Sequence, residues 1–251
     1  PDGDAVGASL GWAEYLQQLG KQVTIILPNP FPDFLRWLPN SHLIQFYAKH
    51  EPEATGIIQK ADLIFCLDFN ALSRLQDMQG AIERSKADKV IIDNPLAPDT
   101  THTKQVISRP SMCSTSDIVF RLIHQLGGYD NMTRQTATCL YTGMMTDTGG
   151  FTYNSNDPEI YQVISLLLAK GIDKDKIYRN VFNVYSVDRM RLTGYILYEK
   201  LHFYANNRAS VFTITRDEMK RFHFIRGDAE GLVNMPLQVK GMRLSISLRE
   251  D

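Results

Sequence analysis

The sequence predicts an α/β fold, a parallel sheet with helices on both faces followed by a smaller α/β unit. Three observations carry this. Short apolar runs of strand length alternate with segments of helical period. Two of those runs, at 63–67 and 89–92, end directly at an aspartate, the pattern of parallel strands that stop where a loop begins. The chain has 251 residues, 43% hydrophobic and 22% charged, enough for one large domain or two modest ones.

Each element follows from its own pattern. After an opening turn, Val6, Leu10, Ala13 and Leu16 share one helical face, and Gly20 can end that helix. Residues 23–27 read as a buried strand, 43–46 as a weaker one, and 51–60 as a helix. The run 63–67 is a strand ending at Asp68, a short helix surrounds Ile82, and 89–92 is a strand ending at Asp93. Residues 105–108 offer a further strand. Ser114-Thr-Ser-Asp117 has the form of a capping box ahead of Ile118, Val119, Leu122, Ile123 and Leu126, and Gly127-Gly128 stops that helix. A second helix is expected at 133–145. Asp157-Pro158 places a cap and a first-turn proline before Ile160, Ile164 and Leu167, with Gly171 as the stop. A long connector helix is expected at 186–203, with Met190, Leu192, Ile196 and Leu197 inward, and strands at 210–215 and 242–248. The predicted organisation is a catalytic domain at 1–185, a helical connector at 186–205 and a second domain starting at 206. Its 206–251 portion is small for an independent core.

Composition excludes several classes. A net charge of −1 gives no global field for nucleic acid, so any polyanion site is local. Cys66, Cys113 and Cys139 form no CxxC pair and point to a reducing compartment, the cytoplasm. No apolar run is long enough to span a bilayer, and no signal peptide is visible. The chain starts without Met, inside a motif, which predicts an incomplete N-terminus.

The acids suggest a chemistry. Asp2 and Asp4 flank Gly3 in a turn, and two oxygen donors so close can converge on a divalent cation; either can equally cap the helix that follows. Asp68 and Asp93 sit at strand ends, where open α/β sheets bind ligands. Asp147 lies between a helix and a polar turn. Two metals a few ångströms apart need several such carboxylates, and metal pairs catalyse displacement at phosphorus.

Pro1-Asp-Gly-Asp-Ala-Val-Gly7, Leu67-Asp-Phe-Asn70, Ile91-Ile-Asp93 and Gly143-Met-Met-Thr-Asp-Thr-Gly-Gly-Phe151 resemble, in order, the motifs of the DHH phosphoesterase family. The resemblance runs from Pro1 to about Phe203, and the tail resembles the start of the DHH-associated domain, which ends short. Within the family the chain is most similar to the bifunctional oligoribonuclease and pAp phosphatase branch, the nano-RNases, related to RecJ-type exonucleases. The resemblance implies that Asp2, Asp4, Asp68, Asp93 and Asp147 are catalytic and hold two manganese ions, with magnesium as a substitute. It implies 3′–5′ removal of mononucleotides from short RNA, or dephosphorylation of pAp, by a protein that meets no membrane and is compatible with a homodimer.

Further residues suit substrate. Ser114 and Ser116 stand where a helix N-terminus can receive phosphate, or where they simply cap it. Phe151 and Tyr153 suit stacking on a base, or core packing. Arg189 can meet phosphate or remain a solvated helix charge. Among six histidines, none with metal-ligand spacing, only His102 in the loop after Asp93 is placed to matter.

The chain departs from the family in three ways. The family's histidine before the first motif is not shown, Asp93 is followed by Asn94-Pro95-Leu96 instead of two histidines, and the C-terminal glycine-rich segment is missing. The expectation is that residues including two histidines are missing between Asp93 and Asn94, that a stretch precedes Pro1, and that a longer one follows Asp251. The rival readings are a family-II pyrophosphatase, a cyclic-dinucleotide phosphodiesterase, and a catalytically degenerate nucleotide-binding regulator.

Overall fold

The computed structural model describes residues 1–251 except 70, 95–102, 205, 207, 226, 230 and 251. His102 therefore lies outside the described residues. The chain divides into two compact units, Pro1–Val181 and Phe182–Asp251.

In the first unit, helix α1 (Gly3–Gln18) is followed by strands β1 (Ile26–Leu27) and β2 (Gln45–Phe46), then α2 (Glu51–Lys60) and strand β3 (Leu63–Leu67). Next come α3 (Gln79–Arg84), β4 (Asp88–Asp93), β5 (Gln105–Ser108), α4 (Thr115–Gln125), α5 (Arg134–Asp147), α6 (Pro158–Ala169) and α7 (Lys174–Phe182). Strands β3, β4 and β5 form a parallel sheet with β4 in the middle, Phe65 opposite Val90 and Asp93 opposite Ser108. Successive side chains of β3 leave on opposite faces. Cys66 and Ile64 join a cluster with Ile58 of α2 and Ile82 of α3. Phe65 meets Trp12 of α1 edge-on, ring centroids 5.3 Å apart. Helices thus cover both faces, as expected.

Two expectations about strands need correction. The first strand, expected over 23–27, pairs only at Ile26 and Leu27, and does so with β2 in a separate two-stranded parallel sheet. Ile25 still accepts the N–H of Gln45 at 3.0 Å, and Pro28 and Pro30, which offer no N–H, bar extension beyond Leu27. The run 63–67, whose continuous apolar pattern reads as an interior parallel strand, instead forms strand β3 at the edge of its sheet, with Leu63 exposed.

Helices α1 and α5 pack closely because both carry glycine where they cross. A Cβ on Gly7 would overlap the carbonyl oxygen of Cys139 on α5, so only glycine admits this approach. Val6 and Leu10 of α1 share a buried cluster with Leu27, Leu35 and Cys139.

The second unit holds α8 (Val187–Tyr195), β6 (His202–Tyr204), β7 (Ala209–Ile214), α9 (Arg216–Arg221) and β8 (Leu244–Arg249). Strand β7 pairs antiparallel with β6 and parallel with β8. The long helix expected over 186–203 stops early: a π-helical turn spans Ile196–Lys200, and His202–Tyr204 becomes a strand. Pairing with β7 outweighs helical periodicity for this aromatic-rich tripeptide. Leu192, Ile196, Phe212, Ile214, Phe222 and Leu232 form the unit's own core. Among the described residues, no helix is long and apolar enough to cross a membrane.

Candidate functional site

The C-terminal edge of the β3–β4–β5 sheet, the start of α1, the start of α4 and the end of α5 bring their acids and hydroxyls together. Asp2 is the N-cap of α1; its Oδ1 accepts the N–H groups of Asp4 and Ala5 at 3.1 and 3.0 Å. That leaves Asp4 in the first helical turn, buried, with its side chain directed away from its own helix. It is received by the N-terminus of α4. The N–H of Thr115 donates to Asp4 Oδ2 at 2.7 Å, and that of Ser116 to Asp4 Oδ1 at 2.9 Å. The free N–H groups and positive end of a helix stabilise such an anion.

The helix α4 starts there because Ser114 caps it, its Oγ accepting the N–H of Asp117 at 3.1 Å. Ser114, Thr115 and Ser116 are all fully buried. The described hydrogen bonds of Ser114 and Ser116 run to the protein itself, to α4 and to Asp4. Gly143 of α5 makes room for this arrangement: a Cβ there would overlap Ser116 Oγ and stand 2.9 Å from Asp4 Oδ1.

Asp68 and Asp93 reach the same point from the sheet. Thr115 Oγ1 donates to Asp68 Oδ1 at 3.1 Å and lies 3.5 Å from Asp93 Oδ1. Asp68 ends β3 in a left-handed conformation, φ 63°, which is uncommon for a residue with a side chain. Asp93, only 1% exposed, accepts the N–H of Asn94 on Oδ1 at 2.9 Å, while its buried Oδ2 has no hydrogen-bond partner among the described residues. Asp147 is the last residue of α5 and half-buried.

Electrostatics joins all five acids. Burial, followed by the charges of Asp4, Asp2 and Asp93, drives the Asp68 carboxyl far above the usual range, against the pull of the Thr115 hydroxyl. Burial also raises Asp4; the Ser116 and Thr115 hydrogen bonds oppose it and the Asp147 charge adds to it. Asp147 is raised to about 6 by burial and by the charges of Asp2 and Asp93. Asp93 rises to about 6 through burial, against the Asn94 N–H, the nearby Arg74 charge and Thr115. So much uncompensated carboxylate charge in one buried place is what a cation would relieve.

Among the described residues, no three His, Cys, Asp or Glu side chains stand in an arrangement that holds a metal ion as they are. The donor set nevertheless fits one. It is all oxygen, as hard divalent cations require, and Asp93 Oδ2, a buried acceptor unpartnered among the described residues, is one that a cation would satisfy.

The other residues expected to meet substrate are Phe151 and Tyr153, in the turn after α5, and Arg189, in the second unit. Phe151 is half-buried at φ 65°, its ring centroid 5.6 Å from that of Tyr141. Tyr153 is 59% exposed. Arg189 belongs to the second unit, its guanidinium 3.7 Å from the centre of the Tyr185 ring. Sequence reasoning missed two participants. In the sequence Thr115 belongs to a helix start that suits capping or phosphate, and nothing local marks its hydroxyl as the junction of two strand ends. Arg74 lies on a 3-10 turn (Leu72–Met78) after β3, exposed, and its charge acts on Asp93.

Comparison with known proteins bears on this geometry. The model of the DHH family N-terminal domain matches residues 1–144. Over 174 residues the chain is 30% identical to the bifunctional oligoribonuclease and PAP phosphatase NrnA of Thermus thermophilus, a match that covers 68% of this chain and 48% of that protein. The chain thus spans about half the length of this curated relative. Among solved structures, an exopolyphosphatase-related protein from Bacteroides fragilis is 48% identical, with a TM-score of 0.98 over 100% of this chain and 73% of that one. A family II inorganic pyrophosphatase from Methanococcus jannaschii, 14% identical, shares the fold alone, with a TM-score of 0.51 over 88% of this chain and 72% of its own.

Proposed function

This chain belongs to the DHH family, and from that premise we propose that it is a divalent-metal-dependent phosphoesterase acting on short oligoribonucleotides, from the 3′ end, and on pAp. The observation that carries the reading is the meeting of Asp4, Asp68 and Asp93 at Thr115, with Asp2 and Asp147 within electrostatic reach. The Thermus relative named as an oligoribonuclease and PAP phosphatase supports the choice of substrates.

Asp2, Asp4, Asp68, Asp93 and Asp147 would hold two manganese ions, or magnesium in their place. When bound, such a pair neutralises phosphate charge and lowers the pKa of a water molecule. The chain's own contribution is pre-organisation. The α4 N-terminus fixes Asp4, the Thr115 hydroxyl fixes Asp68, and the Asn94 N–H fixes one oxygen of Asp93 while leaving the other open. Arg74, exposed beside Asp93, is placed to meet a substrate phosphate. The three cysteines are free and buried, which accords with a cytoplasmic protein.

The test is a substrate panel on metal-stripped full-length protein, with manganese restored: a dinucleotide, longer oligoribonucleotides, pAp and cyclic dinucleotides. The reading expects hydrolysis of the dinucleotide and pAp above the others, and it fails if none is cleaved. Preference for cyclic dinucleotides would instead support the phosphodiesterase alternative.

One observation favours a second reading, a nucleotide-binding regulator with little catalysis. Asn94 directly follows Asp93, its N–H on the Asp93 carboxylate, and it brings no imidazole to the site. The gene sequence after the Asp93 codon separates the two readings. Two histidine codons there favour the enzyme, and an intact mass above 28.6 kDa would agree with additional residues; an uninterrupted Asp-Asn-Pro favours the regulator.

A further inference from the structure

We propose that Thr115 is the positioning residue of the acidic site, its hydroxyl holding the Asp68 carboxylate in place to receive a divalent cation. The inference rests on the metal-dependent reading above and adds a residue to it. Three observations converge.

Thr115 meets three acids at once. Its N–H binds Asp4 Oδ2 at 2.7 Å, its hydroxyl donates to Asp68 Oδ1 at 3.1 Å, and the same hydroxyl lies 3.5 Å from Asp93 Oδ1. Those acids come from three separate elements, α1, β3 and β4, so one side chain sets their mutual spacing.

The Asp68 backbone is strained. At φ 63° it occupies a conformation that side-chain-bearing residues adopt rarely, and such strain persists only where the surroundings enforce it. Two contacts enforce it: the Asp68 N–H donates to the Ile92 carbonyl at 3.1 Å, and the Thr115 hydroxyl holds the side chain. Among the described residues, the hydroxyl is the sole hydrogen-bond donor to the Asp68 carboxylate.

The hydroxyl has one proton and two acceptors in range. It favours the shorter contact to Asp68 Oδ1 over Asp93 Oδ1, which already accepts the Asn94 N–H. Asp93 Oδ2 has no hydrogen-bond partner among the described residues, so the neighbouring strand ends present one oxygen held by the hydroxyl and one open to a cation.

The experiment separates the hydroxyl from the rest of Thr115. Thr115→Val keeps the shape and the backbone N–H that binds Asp4, and removes only the hydroxyl; Thr115→Ser keeps the hydroxyl and removes the methyl. Binding of Mn2+ alone to metal-stripped full-length protein is measured by calorimetry, alongside unfolding in chelator. The expected result is a loss of Mn2+ affinity in Thr115→Val of about 10–100-fold, the usual effect of removing a group that orients a ligand. Thr115→Ser should stay within about threefold of wild type, with KM for pAp following the Mn2+ affinity at subsaturating metal. If Thr115→Val does not fold, Thr115→Ala is compared with Thr115→Ser in the same way. Wild-type affinity in the hydroxyl-deleted protein, or equal losses in the serine and hydroxyl-deleted variants, would overturn the proposal. Absence of Mn2+ binding by the wild type would instead overturn the metal-dependent reading, and the positioning role with it.

Discussion

The carboxylate of Asp4 accepts the backbone N–H of Thr115 at 2.7 Å, tying the first helix to the fourth across 111 residues of sequence. With the neighbouring bond from Ser116, it places an anion on the N-terminus of α4 and makes one residue both a structural tie and a member of the acidic site. Asp4→Ala should therefore cost stability even in chelator, because it strands two buried N–H groups; roughly 1–3 kcal/mol is expected for an unsatisfied buried donor. Urea unfolding in the presence of chelator measures it, and an unchanged midpoint would contradict the tie.

Asp147 enters from the end of α5, and its carboxylate makes no described hydrogen bond that the fold would lose. Asp147→Asn should weaken manganese binding and turnover roughly 10–100-fold while leaving the chelator-treated fold at least as stable as wild type. A loss of stability with full metal affinity would reverse that assignment.

Gly143 is required by the close approach of α5 to α4 and α1. A methyl there overlaps Ser116 Oγ and presses on Asp4. Gly143→Ala should destabilise by roughly 1–3 kcal/mol, the usual cost of overpacking, and lower manganese affinity as Asp4 shifts. Thermal unfolding with and without metal reads both effects.

The pH dependence of the metal-free protein has a definite sign. Asp93 and Asp147 hold their protons to about pH 6 when folded but titrate near 3.8 when exposed. Between those values the folded chain binds more protons than the unfolded one, so stability falls as pH rises from about 4 to about 6. Manganese should remove this loss by holding the carboxylates ionised. The metal-induced rise in Tm should therefore be small near pH 5 and grow toward pH 7; a constant rise across that range would contradict the assignment.

Much of this was legible in the sequence because the acids mark strand ends. Asp68 and Asp93 terminate apolar runs, and the runs are strands. Helix α6 starts where Asp157-Pro158 says it should. What was not legible depended on distant partners. The hydroxyl of Thr115 gains its meaning only when α4 docks between Asp4 and the sheet. The tripeptide His202–Tyr204 is a strand because β7 is there to pair with it. Helix α9 carries a local signal: Thr215 and Glu218 form a reciprocal capping box, a spacing present in the sequence.

The central proposal is that the acids meeting at Thr115 form a site for two cations. The most direct test counts manganese bound per chain on metal-stripped full-length protein, for wild type and for the Asp68→Asn, Asp93→Asn double variant, with circular dichroism to confirm that each is folded. The predicted result is two ions per wild-type chain and their loss in the double variant. No binding by the folded wild type, or undiminished binding by the folded double variant, would contradict it.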